Sequence, residues 1–204
     1  MADVALPAYI LGYHGCDVGV AEQIFAGRAT LKISSNDYDW LGDGIYFWEH
    51  NAQRAFQFAS ELAERPHPSG QKIKNPAVVG AVINLGQCLN LLDSRFIEMV
   101  RQAYKSLSEA SDAAGLPMPE NTGGPDLVSR KLDCAVIRTL HADGRDAGEL
   151  PFDTVRAAFF EGDRLYLNAG FAAKNHIQVC VREHRSILGY FRPLDESGTP
   201  ISFS

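Results

Sequence analysis

The chain lacks any excess of positive charge. Its 25 acidic residues outnumber 19 Lys and Arg, leaving a formal net charge of -6 and a pI near 5.5. Nucleic acid and anionic lipid would be repelled at long range, so broad charge-driven binding to either is excluded and only a local basic groove stays open. Cysteine is scarce too. Cys16, Cys88, Cys134 and Cys180 are far apart and include no C-x-x-C pair, which argues against a zinc ribbon or a dithiol redox centre. Each is expected to pack as a small apolar residue. His50, His67, His141 and His184 lack the two-on-one-face spacing with carboxylates that holds a metal, so no metal is expected. No segment approaches the length of a bilayer span, and Met1-Ala2-Asp3 opens without a basic cluster, so a soluble cytoplasmic protein with no membrane partner is expected. Internal repeats, heptads and low-complexity tracts are also missing.

What is present suits one sizeable core. At 204 residues and 46% hydrophobic content the chain is expected to form a single domain over 1–204. A strand is predicted at Ala8 to His14, then a short helix capped by Asp17 and ended near Gly27. A polar loop from Lys32 to Gly44 leads into the strand Ile45 to Trp48, and Asn51 caps a helix running through Ala55, Phe58, Ala59 and Leu62. The apolar run Ala77 to Leu85 predicts a strand buried on both faces, and Asp93 to Ala114 the longest helix, closed by Gly115. A further helical stripe runs from Leu127 to Val136. Short strands follow at Val155 to Phe160, Arg164 to Leu167, His176 to Arg182 and Ile187 to Arg192. Helices early and antiparallel strands late favour an α+β domain over a doubly wound sheet.

Three separated segments carry chemistry. Gly12-Tyr13-His14-Gly15-Cys16 combines a histidine with flexible backbone, Leu41-Gly42-Asp43-Gly44-Ile45-Tyr46-Phe47 offers a stackable tyrosine after a glycine turn, and Gln178-Val179-Cys180-Val181-Arg182 leads to Ile187. Gly42 and Gly44 have no third glycine opening a helix, which rejects a Rossmann loop. In this order the segments resemble the catalytic core of ADP-ribosyltransferases of the diphtheria-toxin and poly-ADP-ribose-polymerase class, in which a His-Gly pair on the first strand is followed by Gly-x-Gly-[Ile/Leu]-Tyr-Phe, a helix rich in small residues, and a late strand bearing glutamate or sometimes another residue. The resemblance points to a bacterial toxin-like or defence-related branch.

It implies an α+β fold of two packed, mainly antiparallel sheets, a split β core, with flanking helices. It also implies a mono-ADP-ribosyltransferase, a glycosyltransferase that uses NAD as donor, releases nicotinamide and modifies a protein or nucleic-acid acceptor. An antitoxin partner is expected if the protein is a toxin. The catalytic set would be His14, Tyr46 and Gln178, and NAD would be held by His14, Gly15, Tyr46 and Phe56. Tyr46 would stack on the nicotinamide cation, the Gly15 backbone would meet its carboxamide, and His14 would bond a ribose hydroxyl.

Glutamine at 178 carries no charge and cannot serve as a base at neutral pH, so transfer of a single unit is expected rather than polymer extension. Glu161 and Glu183 are reserve carboxylates, and His176 is an alternative contact on the strand face of Gln178. Arg156 is read as a phosphate or acceptor contact or a plain surface arginine. Asn36 to Trp40 is read as a lid over the adenosine end or as a turn with Trp40 tucked into the core. An NAD glycohydrolase, and a non-catalytic domain binding ADP-ribose, nucleotide or a protein partner, stand as alternatives.

Overall fold

A computed structural model describes residues 9–64, 73–195 and 197–201. Strand β1 (Tyr9–Asp17) runs into α1 (Val18–Phe25), where the Asp17 carboxylate accepts from Gly19 N and caps the helix. β2 (Ile45–Glu49) precedes α2 (Ala52–Glu64), whose first turn is held by Asn51 Oδ1 accepting from Arg54 N at 2.9 Å. β3 (Pro76–Asn84) and β4 (Cys88–Asn90) lead to α3 (Ser94–Ala114), which starts at the Asp93 cap and stops at a left-handed Gly115. A two-stranded ribbon, β5 (Asn121–Thr122) and β6 (Ser129–Arg130), leads into α4 (Lys131–Asp146). β7 (Thr154–Phe159), β8 (His176–Val181) and β9 (Ile187–Phe191) complete the set.

The chain is α+β, and the expected pair of packed sheets is corrected to one seven-stranded sheet of order β4-β7-β8-β2-β1-β3-β9. All of its ladders are antiparallel except β4 with β7. β1 joins the two halves, but unequally. It pairs with β3 along its whole length, from Tyr9↔Asn84 to Asp17↔Pro76, and with β2 only at Gly12↔Glu49 and Tyr13↔Trp48.

Alternation along the strands builds a core on each face. One face buries Ile45, Phe47, Val79, Ile83, Val179 and Val181 under α1 and Leu31. The other buries Leu89, Val155 and Cys180 under α3 and α4, which contribute Ala103, Val136, Ile137 and Leu140. Full burial of such a side chain contributes roughly 1.5–3 kcal/mol, so these two layers fix the strand register. Two predicted elements change. The helix expected from Leu127 begins at Lys131, because Leu127 takes a left-handed φ of 49° and Ser129–Arg130 pair with β5. The strand expected at Arg164 to Leu167 is a loop with one bridge, Arg164↔Ala172. No layer lies over that segment, and Leu167 stays 91% exposed.

Candidate active site

The short contact between β1 and β2 sets the site. Beyond Tyr13 the strands part, and the His14 side chain spans the gap, with Nδ1 2.8 Å from the Tyr46 carbonyl oxygen. A carbonyl only accepts, so Nδ1 carries the proton and Nε2 keeps its lone pair. Burial lowers the pKa of His14, against the opposing pull of this bond, and the ring is neutral at pH 7. The Phe47 ring meets it edge-on at 5.9 Å between centroids.

Gly15 lies one residue further along. β2 pairs with β1 only at Gly12 and Tyr13, so from His14 onward the edge of β1 that faces β2 has no strand partner. That edge presents both N–H donors and C=O acceptors. A Cβ at Gly15 would stand 2.1 Å from the Ala55 carbonyl oxygen. Glycine is therefore what lets α2 settle on β1 here.

Tyr46 is anchored at its far end. Its hydroxyl donates to Gly42 O at 2.7 Å and accepts from Leu41 N at 2.9 Å. Burial drives its pKa well above the ordinary value, so it stays a neutral phenol. Tyr46 faces Cys180, and Trp48 faces Gln178, across the β2–β8 ladder. Tyr46 and Gln178 are thus diagonal neighbours on one sheet face, with β carbons about 7–8 Å apart. Gln178 is only 8% exposed, and its carboxamide has no hydrogen-bond partner among the described residues.

A polar cluster surrounds Gln178. Arg54 of α2 is 6% exposed, lies 5.7 Å from the centroid of the Trp48 ring, and donates from Nη2 to Glu161 Oε2 at 3.4 Å. His176, two residues before Gln178 on the same face, donates from Nδ1 to Lys174 O at 2.6 Å and lies 3.6 Å from Glu161 Oε2. Burial pushes the His176 pKa down to about 4, with Arg54 adding to the effect and the Lys174 bond opposing it. Burial also raises the carboxyl of Glu161, against the pull of Arg54. Trp48 Nε1, Arg54 Nε and His176 Nε2 are buried with no partner. Each such group costs about 1–3 kcal/mol, and several around one side chain mark a place built to meet a polar ligand.

His14, Gly15, Tyr46 and Gln178 lie on the adjacent strands β1, β2 and β8; Gly15, Tyr46 and Gln178 share one face, whereas the His14 ring turns to the other, against Phe47. Phe56 packs with Tyr13 and Phe58 on the cluster of Trp48, Ala55 and Val78. It lines a separate cavity of about 270 Å³ with Phe25, Pro76 and Arg192, and none of that cavity's lining residues is His14, Tyr46 or Gln178. Arg156 is no free phosphate contact, since Glu49 and Asn90 take its guanidinium. Trp40 is tucked into the core, edge-on to Phe159 at 4.3 Å, with the Arg130 guanidinium 4.3 Å above it. Of the reserves, His176 shares the face of Gln178 two residues away, and Glu161 reaches His176 and Arg54. Trp48 and Arg54 were missed, although a signal existed: Trp48 is two residues from Tyr46 and so shares its face, and Arg54 is a charge beside the apolar stripe of its helix.

Among the described residues no group of three or more His, Cys, Asp and Glu could hold a metal ion, and no helix is long and apolar enough to cross a membrane. Comparison with known protein families, with curated proteins and with solved structures returns no match.

Proposed function

We propose that the protein is an NAD-dependent mono-ADP-ribosyltransferase whose site is the fork between β1 and β2. The observation that carries this reading is the hydrogen bond of His14 to the Tyr46 carbonyl where the strands part, with the open Gly15 edge beside it and the unpartnered Gln178 amide two strands away on β8. The residues fit the donor. An open strand edge offers one donor and one acceptor to a carboxamide, and the His14 Nε2 lone pair accepts from a ribose hydroxyl.

The chemistry breaks the bond between nicotinamide and ribose, so positive charge grows on the sugar as the neutral base leaves with the bonding electrons. Tyr46, held by two bonds at its hydroxyl, keeps its ring orientation through the reaction. Gln178 orients a ribose hydroxyl through its amide oxygen and adds a dipole, in place of a charge, to the developing cation. Of the two carboxylates paired with Arg54, Glu161 is more buried than Glu61, and its raised pKa suits it to take the acceptor's proton.

A macromolecular acceptor is favoured over water by the loop leading into β8. Leu165, Tyr166, Leu167 and Phe171 expose 58–91% of their surface there, a patch that suits contact with another macromolecule. Incubation with NAD labelled in the adenosine moiety, with separate pools of protein, RNA and DNA, tests the proposal. Label in one pool, lost in His14→Ala, is the expected result. Nicotinamide release without labelling would establish a glycohydrolase. No turnover, with activity appearing in Gln178→Glu, would establish a binding domain.

A further inference from the structure

Helix α4 carries Arg138, His141, Ala142 and Arg145, a spacing of three, four and seven that puts them on one face. That face meets Arg182, just past the end of β8, and Asp43 of the turn before β2, around a cavity of about 380 Å³. The size is within the range of small-ligand pockets.

The charges in this cavity are unbalanced. Arg138 is satisfied by Asp43, with Nη2 2.5 Å from Oδ1, and by the carbonyls of Ser35 and Asn36. Arg182 spends one N–H on Phe152 O at 2.8 Å. No carboxylate lies within ion-pair distance of Arg182 or Arg145 among the described residues. His141 is 8% exposed, and its Nε2 is buried with no partner. Burial, then Arg182 and Arg145, push its pKa down to about 4. Two guanidinium groups without a carboxylate partner thus line the same cavity as one orphaned ring nitrogen, an arrangement that an anion relieves.

We propose that this cavity binds a phosphate group, as the pyrophosphate or terminal phosphate of a small nucleotide. Arg145 and Arg182 approach from different elements, which suits a tetrahedral anion better than a planar carboxylate, and Ala142 leaves the floor open. Asp43 at the wall and the net charge of -6 disfavour a long polyanion. The inference stands on the α4 face and does not need the fork between β1 and β2.

The test is calorimetric titration with phosphate, pyrophosphate and ADP at fixed ionic strength, with proton NMR of the His141 ring. Saturable binding is expected, weakened at least tenfold, or ~1.4 kcal/mol, in Arg145→Ala and Arg182→Gln and unchanged in Lys105→Ala on the exposed face of α3. His141 should titrate at higher pH in the bound state. Arg145 is exposed and makes no bond, so its variant reads binding even if the Arg182 variant is unstable. No saturation by about 10 mM, or affinity unmoved by Arg145→Ala, would overturn the site. Tighter, steeply salt-dependent binding of a single-stranded oligonucleotide would overturn its assignment to a small nucleotide.

Discussion

Arg156 of β7 reaches past β8 to grip Glu49 of β2 with two bonds, Nε to Oε2 at 2.6 Å and Nη2 to Oε1 at 2.8 Å. Both side chains are largely buried, 16% and 11% exposed. The pair ties strands that are not neighbours and sits at the end of β2 next to the fork. Removing one partner would leave the other charge buried and alone. Arg156→Ala should therefore lower stability by ~3 kcal/mol, read as a drop in the urea midpoint. A shift within ~0.5 kcal/mol would mean that water replaces the arginine.

His14 offers the sharpest functional test. His14→Ala removes the ring that spans the parted strands, with the loss of one edge-on contact to Phe47 in the layer under α1. NAD cleavage is expected to fall by about a hundredfold or more, with the far-ultraviolet circular dichroism unchanged. Activity within about threefold of the parent would remove His14 from the site.

Glycine 15 makes a structural prediction. A methyl group there would meet the Ala55 backbone oxygen at 2.1 Å, and backbone cannot rotate away. Gly15→Ala should cost about 2 kcal/mol or more by driving α2 off the sheet. Gly189→Ala, where nothing lies within 4 Å, serves as the control. Equal thermal midpoints for the two would contradict the packing described.

Acid should destabilise the fold through His141 and His176. Their folded pKa values of about 4 lie below the ordinary 6.5, so the unfolded chain takes up protons first as pH falls. Stability is full above pH 6.5 and declines towards about pH 4, by on the order of 2 kcal/mol for each ring. Glu161, whose carboxyl is raised from its ordinary 4.5, works the other way, stabilising at low pH and losing that contribution as pH rises through its folded value. Denaturant midpoints measured between pH 6.5 and 5 should fall less steeply in His176→Gln. An unchanged slope would show that His176 is not shielded.

Local signals carried much of this structure. Asp17, Asn51 and Asp93 each cap the helix they were expected to cap, and Gly115 closes the longest one, because capping is settled within a few residues. The two-residue period along β8 was enough to set Gln178 and His176 on one face, whereas Tyr46 joins that face only through the β2–β8 register. What stayed hidden was long-range. No local pattern says that β1 pairs with all of β3 and only a corner of β2; the two packed sheets were an implication of the family resemblance, and the structure has one seven-stranded sheet beside a two-stranded ribbon. The setting of α2 is long-range too: the helix was recognised, but its close approach to β1 depends on the contact between Gly15 and Ala55, which only the assembled packing reveals.

β9 returns from β8 at the middle of the sheet to its far margin, where it pairs with Gly80 through Ile83 of β3. It works as a lateral seal. Without it, β3 would turn a row of unsatisfied amides outward beside the apolar Val82 and Ile83, a template on which a second molecule could extend the sheet. The open margin thereby passes from the nine-residue β3 to a strand of five residues, a shorter template for intermolecular sheet growth.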